Sequence, residues 1–171
     1  MQGIADVIGP GLRVLFCGIN PGLVSAATGH HFARPGNRFW PALHLAGFTP
    51  RQFRPDEQEK LLGLGLGITN MAARPSAKAG ELTRAELVAG GETLVEKVLE
   101  YQPQWLAVVG VTAYRDAFGE RKAAMGEQTR LIGETRVWIL PNPSGLNAHY
   151  TLPTLAAAYA ELQKVSSGAG G

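Results

Sequence analysis

A chain of 171 residues, 45% of them hydrophobic, is long enough to close one sizeable core and short for two. Its Lys and Arg number 16 against 14 Asp and Glu; the net charge of +2 neither demands nor excludes nucleic acid and leaves that to a local patch. The lone cysteine, Cys17, excludes an internal disulfide framework and any multi-cysteine metal or iron–sulfur site. No stretch reaches the roughly 18 apolar residues of a membrane span, and the first residues show no signal-peptide pattern.

Residues 1–12 read as a lead-in with a turn at Gly9-Pro10-Gly11. The apolar run Arg13 to Cys17 predicts a strand buried on both faces, followed by the turn Gly18-Ile19-Asn20-Pro21-Gly22. An irregular stretch, Ser25 to Gly36, precedes a helix that Asn37 can cap and Gly47 ends. A short helix over Pro55 to Leu62 leads to a second strand, Leu66 to Asn70, and a loop, Met71 to Gly80. Thr83-Arg84-Ala85-Glu86 is a capping box, opening a helix expected to break or kink near Gly90-Gly91 and to stop at Pro103. Trp105 to Val109 predicts a third buried strand, Leu131-Ile132 a short one, and Val137 to Leu140 the last. That strand feeds the turn Asn142-Pro143-Ser144-Gly145-Leu146-Asn147, and an amphipathic helix closes the chain over Leu152 to Val165.

The alternation predicts an α/β fold: a three-layer α/β/α sandwich around a mostly parallel four- to five-stranded sheet. One domain is expected over 1–165, with 166–171 a disordered tail. In such sheets ligands bind at the loops after strand C-termini, so the Asn20 and Asn142 turns can meet over one pocket.

Neither turn is specific alone, because Gly, Asn and Pro favour turns for backbone reasons. The first is not a P-loop or a dinucleotide turn, and Ser144 lacks the Gly-x-Ser-x-Gly setting of a hydrolase nucleophile. His30 and His31 have no neighbouring acidic residue to complete a metal site, so no metal or cofactor is expected. His44 and His149 read as surface or packing residues. Phe32 fits a core position as well as a site. Leu146 is a large aliphatic side chain in a polar loop, the device that unstacks a DNA base step, although single exposed leucines are common. Arg34, Arg38, Arg74 and Lys78 lie near these loops and read equally as phosphate contacts or solvated charge.

From about Pro10 to Leu162 the chain resembles the mismatch-specific uracil-DNA glycosylase and thymine-DNA glycosylase family. The resemblance rests on Phe16-Cys17-Gly18-Ile19-Asn20-Pro21-Gly22, on Phe32-Ala33-Arg34-Pro35-Gly36-Asn37-Arg38-Phe39-Trp40 and on Leu140-Pro141-Asn142-Pro143-Ser144-Gly145-Leu146. Ile68-Thr69-Asn70 with Arg74-Pro75, and Glu100-Tyr101-Gln102-Pro103, fit as well. It implies that Asn20 positions the attacking water and that Asn70, at a position that varies in the family, is a second catalytic candidate. Ile19, Ser25, Phe32 and Asn142 would line the base pocket, Phe32 stacking on the flipped base and Ser25 sitting near its C5. Leu146 would be the wedge, with Gly145 and Asn147 pairing with the widowed guanine and Ser144 joining the phosphate contacts. A basic residue often found two positions after that leucine is Ala148 here.

Asn20 and Asn142 stand where a faster branch carries Asp and His, and neither turn holds a carboxylate. Catalysis by positioning and electrostatics follows, with slow turnover. No lysine lies in either turn, so a monofunctional enzyme leaving an abasic site is expected. The implied partner is double-stranded DNA with G·U or related mismatches. A monomer of the bacterial cytoplasm, nucleoid-associated when acting, is the expected setting. Two readings from other classes stay open: a non-catalytic lesion sensor, and a small-molecule hydrolase or nucleotide-binding domain.

Overall fold

The computed structural model describes residues 3–168. Five strands form one sheet in the order β2-β1-β3-β5-β4: β1 Val14–Gly18, β2 Leu66–Asn70, β3 Trp105–Val109, β4 Gly126–Ile132 and β5 Thr135–Leu140. The first four in that order pair in parallel, and β4 runs antiparallel to β5. Helices α1 Leu23–Thr28, α2 Phe39–Leu45, α3 Arg84–Tyr101, α4 Val111–Phe118 and α5 Leu152–Ser166 complete the α/β fold. The five-stranded sheet matches the expected architecture.

Period-two alternation in the buried strands divides the core. Val14 and Phe16 of β1 face the layer of α2 and α5, where Phe39, Leu43, Leu155 and Tyr159 are fully buried. Leu15 and Cys17 face Leu94 and Val98 of α3 and Tyr114 of α4 on the other side. Burial pushes the Cys17 thiol up to about 12, so it is an inert packing residue rather than a nucleophile.

Several boundaries differ from the expectation, each for a tertiary reason. The strand expected at Leu131-Ile132 runs back to Gly126, because an edge strand alternates between exposed and half-buried polar residues. The segment expected as a helix over Pro55 to Leu62 is a 3₁₀ helix, Pro55–Leu64. The α3 capping box is present, with Glu86 N donating to Thr83 Oγ1 at 3.1 Å and Thr83 N to Glu86 Oε1 at 3.0 Å. The expected break at Gly90-Gly91 is absent; α3 is continuous there. A Cβ on Gly90 would stand 2.2 Å from the Met71 carbonyl, so the glycine serves close packing against the loop after β2. Ser166, assigned to a tail, is buried and accepts from Arg13 Nη1 at 3.0 Å. Ser167 caps α5, its N donating to the Gln163 carbonyl at 2.9 Å, and 169–171 lie outside the described residues.

The N-terminal segment covers the free edge of β2 through Val7, which exchanges backbone hydrogen bonds of 2.9 and 2.8 Å with Ile68. Among the described residues no helix is long and apolar enough to cross a membrane.

Candidate active site

The chain leaves β1 toward β2 on one side of it and returns to β3 on the other, so β1 and β3 flank a topological switch point. Open sheets form a crevice there, beyond the strand C-termini. A cavity of about 550 Å3 occupies it, lined by the loops after β1, β2, β3 and β5. The Asn20 and Asn142 turns do meet over it, and Ile19, Ser25, Phe32, Asn70, Ser144, Leu146 and Asn147 line it with them. So do Arg34 and Lys78. Arg38, Arg74 and Gly145 are outside the lining.

Asn20 is held at both amide hydrogens. Its Nδ2 donates to the Arg74 carbonyl at 2.7 Å and to Ser76 Oγ at 2.8 Å. A backbone carbonyl can only accept, so the amide nitrogen must face Arg74 and the side chain cannot flip without losing that bond. Oδ1 is left without a partner among the described residues, as an acceptor on a residue that lines the cavity. Ser76 is in turn fixed, donating Oγ to the Lys78 carbonyl at 2.7 Å and N to the Pro21 carbonyl at 3.1 Å. Ser76 escaped the sequence reading; its only signal was its place directly after Arg74-Pro75.

Phe32 adopts a left-handed backbone, φ 53°, which costs a non-glycine residue of order 1–3 kcal/mol and persists only where surroundings enforce it. Gln58 enforces it, accepting from His31 N at 2.7 Å and donating to the Gly29 carbonyl at 3.1 Å. On the other side Ala33 N donates to Ser25 Oγ at 3.1 Å, and Trp40 Nε1 donates to the His31 carbonyl at 3.0 Å. The Phe32 ring stacks on buried Phe39 with centroids 4.0 Å apart. Gly18 makes room for it: a Cβ there would meet Asn70 Oδ1 at 2.8 Å and the Phe32 ring at 3.2 Å. Phe32 therefore belongs both to the core and to the cavity lining, and its N–H has no partner among the described residues.

Asn70 leads to a second residue that sequence reasoning passed over. His31 Nε2 lies 2.8 Å from the Ala5 carbonyl and Nδ1 lies 3.4 Å from Asn70 Nδ2. The carbonyl requires a proton on Nε2, which leaves Nδ1 of the neutral ring to accept from Asn70. Burial holds the His31 pKa below its ordinary 6.5. The paired histidines were weighed only as metal ligands; among the described residues no group of three or more His, Cys, Asp or Glu could hold a metal ion.

The loop after β5 is tightly self-bonded. Ser144 N donates to Asn142 Oδ1 at 2.9 Å, Leu146 N to Ser144 Oγ at 3.1 Å and Asn147 Nδ2 to the Asn142 carbonyl at 3.0 Å. Arg38, expected as a phosphate contact, instead braces this loop. Its guanidinium donates to the carbonyls of Ser144 at 2.6 Å, Asn147 at 3.1 Å and Tyr150. Arg74, expected in the same role, forms a two-pronged ion pair with Glu86 at 2.6 and 2.9 Å. The result is a rigid loop carrying Leu146 with 58% of its surface exposed. Gly145 fits because it packs on Gly36, where a Cβ would stand 2.8 Å from the carbonyl oxygen.

The cavity is lined by an aromatic ring, a pinned asparagine and an exposed leucine. The Uracil DNA glycosylase superfamily matches residues 5–163, all but the two ends. The chain belongs to that superfamily. Membership implies a DNA glycosylase, a hydrolase of the N-glycosidic bond that holds uracil in DNA. Among the described residues the cavity lining includes no acidic residue; its polar side chains are amides and hydroxyls together with His31, Arg34, Lys78 and His149. Lys78 lines the cavity although neither turn contains a lysine, and His149 lies exposed at the same cavity.

Proposed function

We propose that the protein is a monofunctional glycosylase of base excision repair directed to uracil mispaired with guanine in double-stranded DNA. Related damaged pyrimidines such as ethenocytosine, and thymine, are the further substrates. The observation that carries this reading is Asn20, its amide fixed by Arg74 and Ser76 in a cavity without carboxylates.

Cleavage between C1′ and the pyrimidine N1 builds positive charge on the sugar and negative charge on the leaving base. Asn20 Oδ1 accepts a hydrogen from a water and holds it near C1′, but an amide is no strong base, so the water attacks late on an already electron-poor sugar. The slow, positioning-dominated reaction makes prior weakening of the base pair important, which favours a mismatch. Phe32 stacks on the extruded base and offers its N–H to the pyrimidine edge. Ser25, only 4% exposed, stands as a wall whose size bears on a C5 methyl group. Ile19 and Asn142 complete the pocket, and Asn70, oriented by His31, is a second polar contact to base or water.

Leu146 enters the space the nucleotide leaves. Gly145 faces the widowed guanine with backbone groups that have no partner among the described residues. Asn147, whose side chain bonds His149 N at 3.1 Å and the Asn142 carbonyl, keeps the loop in shape beside it. Arg34, Lys78 and Ser144 are assigned to phosphates. Lys78 is exposed at the cavity, whereas lysines that form Schiff bases are desolvated or crowded by a second cation. An intact abasic strand is therefore the product, and one protein molecule acts on one site.

The test is a panel of labelled duplexes carrying U·G, U·A, T·G and ethenocytosine·G, with single-stranded uracil beside them, abasic sites being revealed by alkali. Excision should be greatest from U·G over U·A, with no borohydride-trapped adduct. Equal rates on U·G and U·A would remove the mismatch claim, and a trapped adduct would remove the monofunctional one.

A further inference from the structure

Because β4 runs antiparallel to β5, its first residue pairs near the C-terminal end of β5, Gly126 opposite Ile139. The connection from α4 into β4 is thereby delivered to the end of the sheet that holds the cavity. Met125, immediately before β4, lines that cavity and keeps 41% of its surface exposed. Beside Leu146 it is the other strongly exposed large apolar side chain of the lining.

The segment is stapled, not slack. Arg115 Nε donates to the Ala123 carbonyl at 2.8 Å, Ala123 N to the Glu120 carbonyl at 3.1 Å, and Gln128 Nε2 to the carbonyls of Ala124 and Gly126 at 2.7 and 2.9 Å. Its charge is one-sided. Glu120 is neutralised by Arg130 at 2.5 Å and Glu127, just beyond, by Arg136 at 2.8 Å. Arg121 and Lys122 are exposed and have no acidic partner among the described residues.

We propose that segment 119–125 is a second DNA-contacting rim, Arg121 and Lys122 pairing with backbone phosphates while Met125 packs on the extruded nucleotide at the cavity mouth. The partner class rests on the glycosylase reading above. A thioether side chain suits the task, since it adapts to irregular aromatic and sugar surfaces. Two cations held on a rigid turn contribute sequence-independent affinity.

The test is binding to a labelled duplex with 2′-fluoro-2′-deoxyuridine opposite guanine, whose fluorine withdraws electrons from the sugar and blocks cleavage. Arg121→Ala with Lys122→Ala should weaken binding and lower the log–log salt slope by about 2, roughly 0.9 per lost phosphate contact. Arg121→Lys with Lys122→Arg should retain the slope. Met125→Ala should weaken binding about 3- to 10-fold with the slope unchanged, as for lost packing rather than lost charge, and Met125→Leu should restore most of it. An unchanged slope in the double alanine variant, or wild-type affinity in Met125→Ala, overturns the corresponding half of the proposal. These readouts are independent of excision: a wild-type protein that binds but cleaves nothing would sink the catalytic reading while leaving the rim to be decided on its own.

Discussion

Asn20 Nδ2 and Ser76 Oγ lie 2.8 Å apart although 56 residues separate them in sequence. The bond joins the turn after β1 to the loop after β2 and makes the orientation of the catalytic candidate a property of the fold. Ser76→Ala removes one of two anchors and leaves the Arg74 carbonyl as the other. A neutral hydrogen bond is worth about 1 kcal/mol, so single-turnover excision should slow about fivefold with duplex affinity little changed. A larger loss in affinity than in rate would place Ser76 in DNA binding instead.

Arg38 bonds the carbonyls of Ser144, Asn147 and Tyr150, and its planar fork cannot be reproduced by lysine. Arg38→Lys should leave the sheet intact yet loosen the Leu146 loop. Excision from duplex substrate should fall at least tenfold while single-stranded uracil is affected much less, and Leu146→Ala should show the same pattern. A uniform loss on both substrates would contradict a wedge braced by arginine.

Burial lowers the pKa of His31, so the unfolded chain takes up its proton at a higher pH than the folded protein does. The stability this group contributes is complete above the ordinary value of 6.5 and is lost as pH falls through the window below it. Protonation also puts a hydrogen on Nδ1, where Asn70 now donates. Thermal stability and excision should therefore both fall as pH drops below about 6.5, and His31→Gln should flatten the dependence. An identical pH profile in the variant would show that another group governs it.

Much of the architecture was legible because buried strands announce themselves. Val14 to Cys17 and Trp105 to Val109 are continuous apolar runs bounded by turn residues, and the Thr83–Glu86 box marked its helix start correctly. The cavity loops were legible as well, since both follow such runs. Contacts between distant segments were not legible: Ser76 bonding Asn20, Gln58 shaping the turn at Phe32, and Arg38 crossing 106 residues to Ser144. Local pattern carries no information about which donor meets which carbonyl after folding, so Arg38 and Arg74 read as phosphate contacts or solvated charge.

Gly90 shows the same limit in energetic form. On helix propensity alone, Gly90→Ala should stabilise α3 by about 1 kcal/mol. The added Cβ would stand 2.2 Å from the Met71 carbonyl, and forced overpacking costs about 1–3 kcal/mol. Net destabilisation is expected, measurable as a lowered denaturant midpoint; a raised midpoint would mean that the Met71 loop gives way freely.

The most direct measurement of the central claim compares wild type with Asn20→Ala in single-turnover excision of uracil from a G·U duplex, with melting curves to show that both fold. The account predicts alkali-labile abasic sites with the wild type and a rate lower by about 10²–10³ in the variant, the scale of losing one transition-state contact. No abasic product from the wild type, or equal rates for the two proteins, would contradict it.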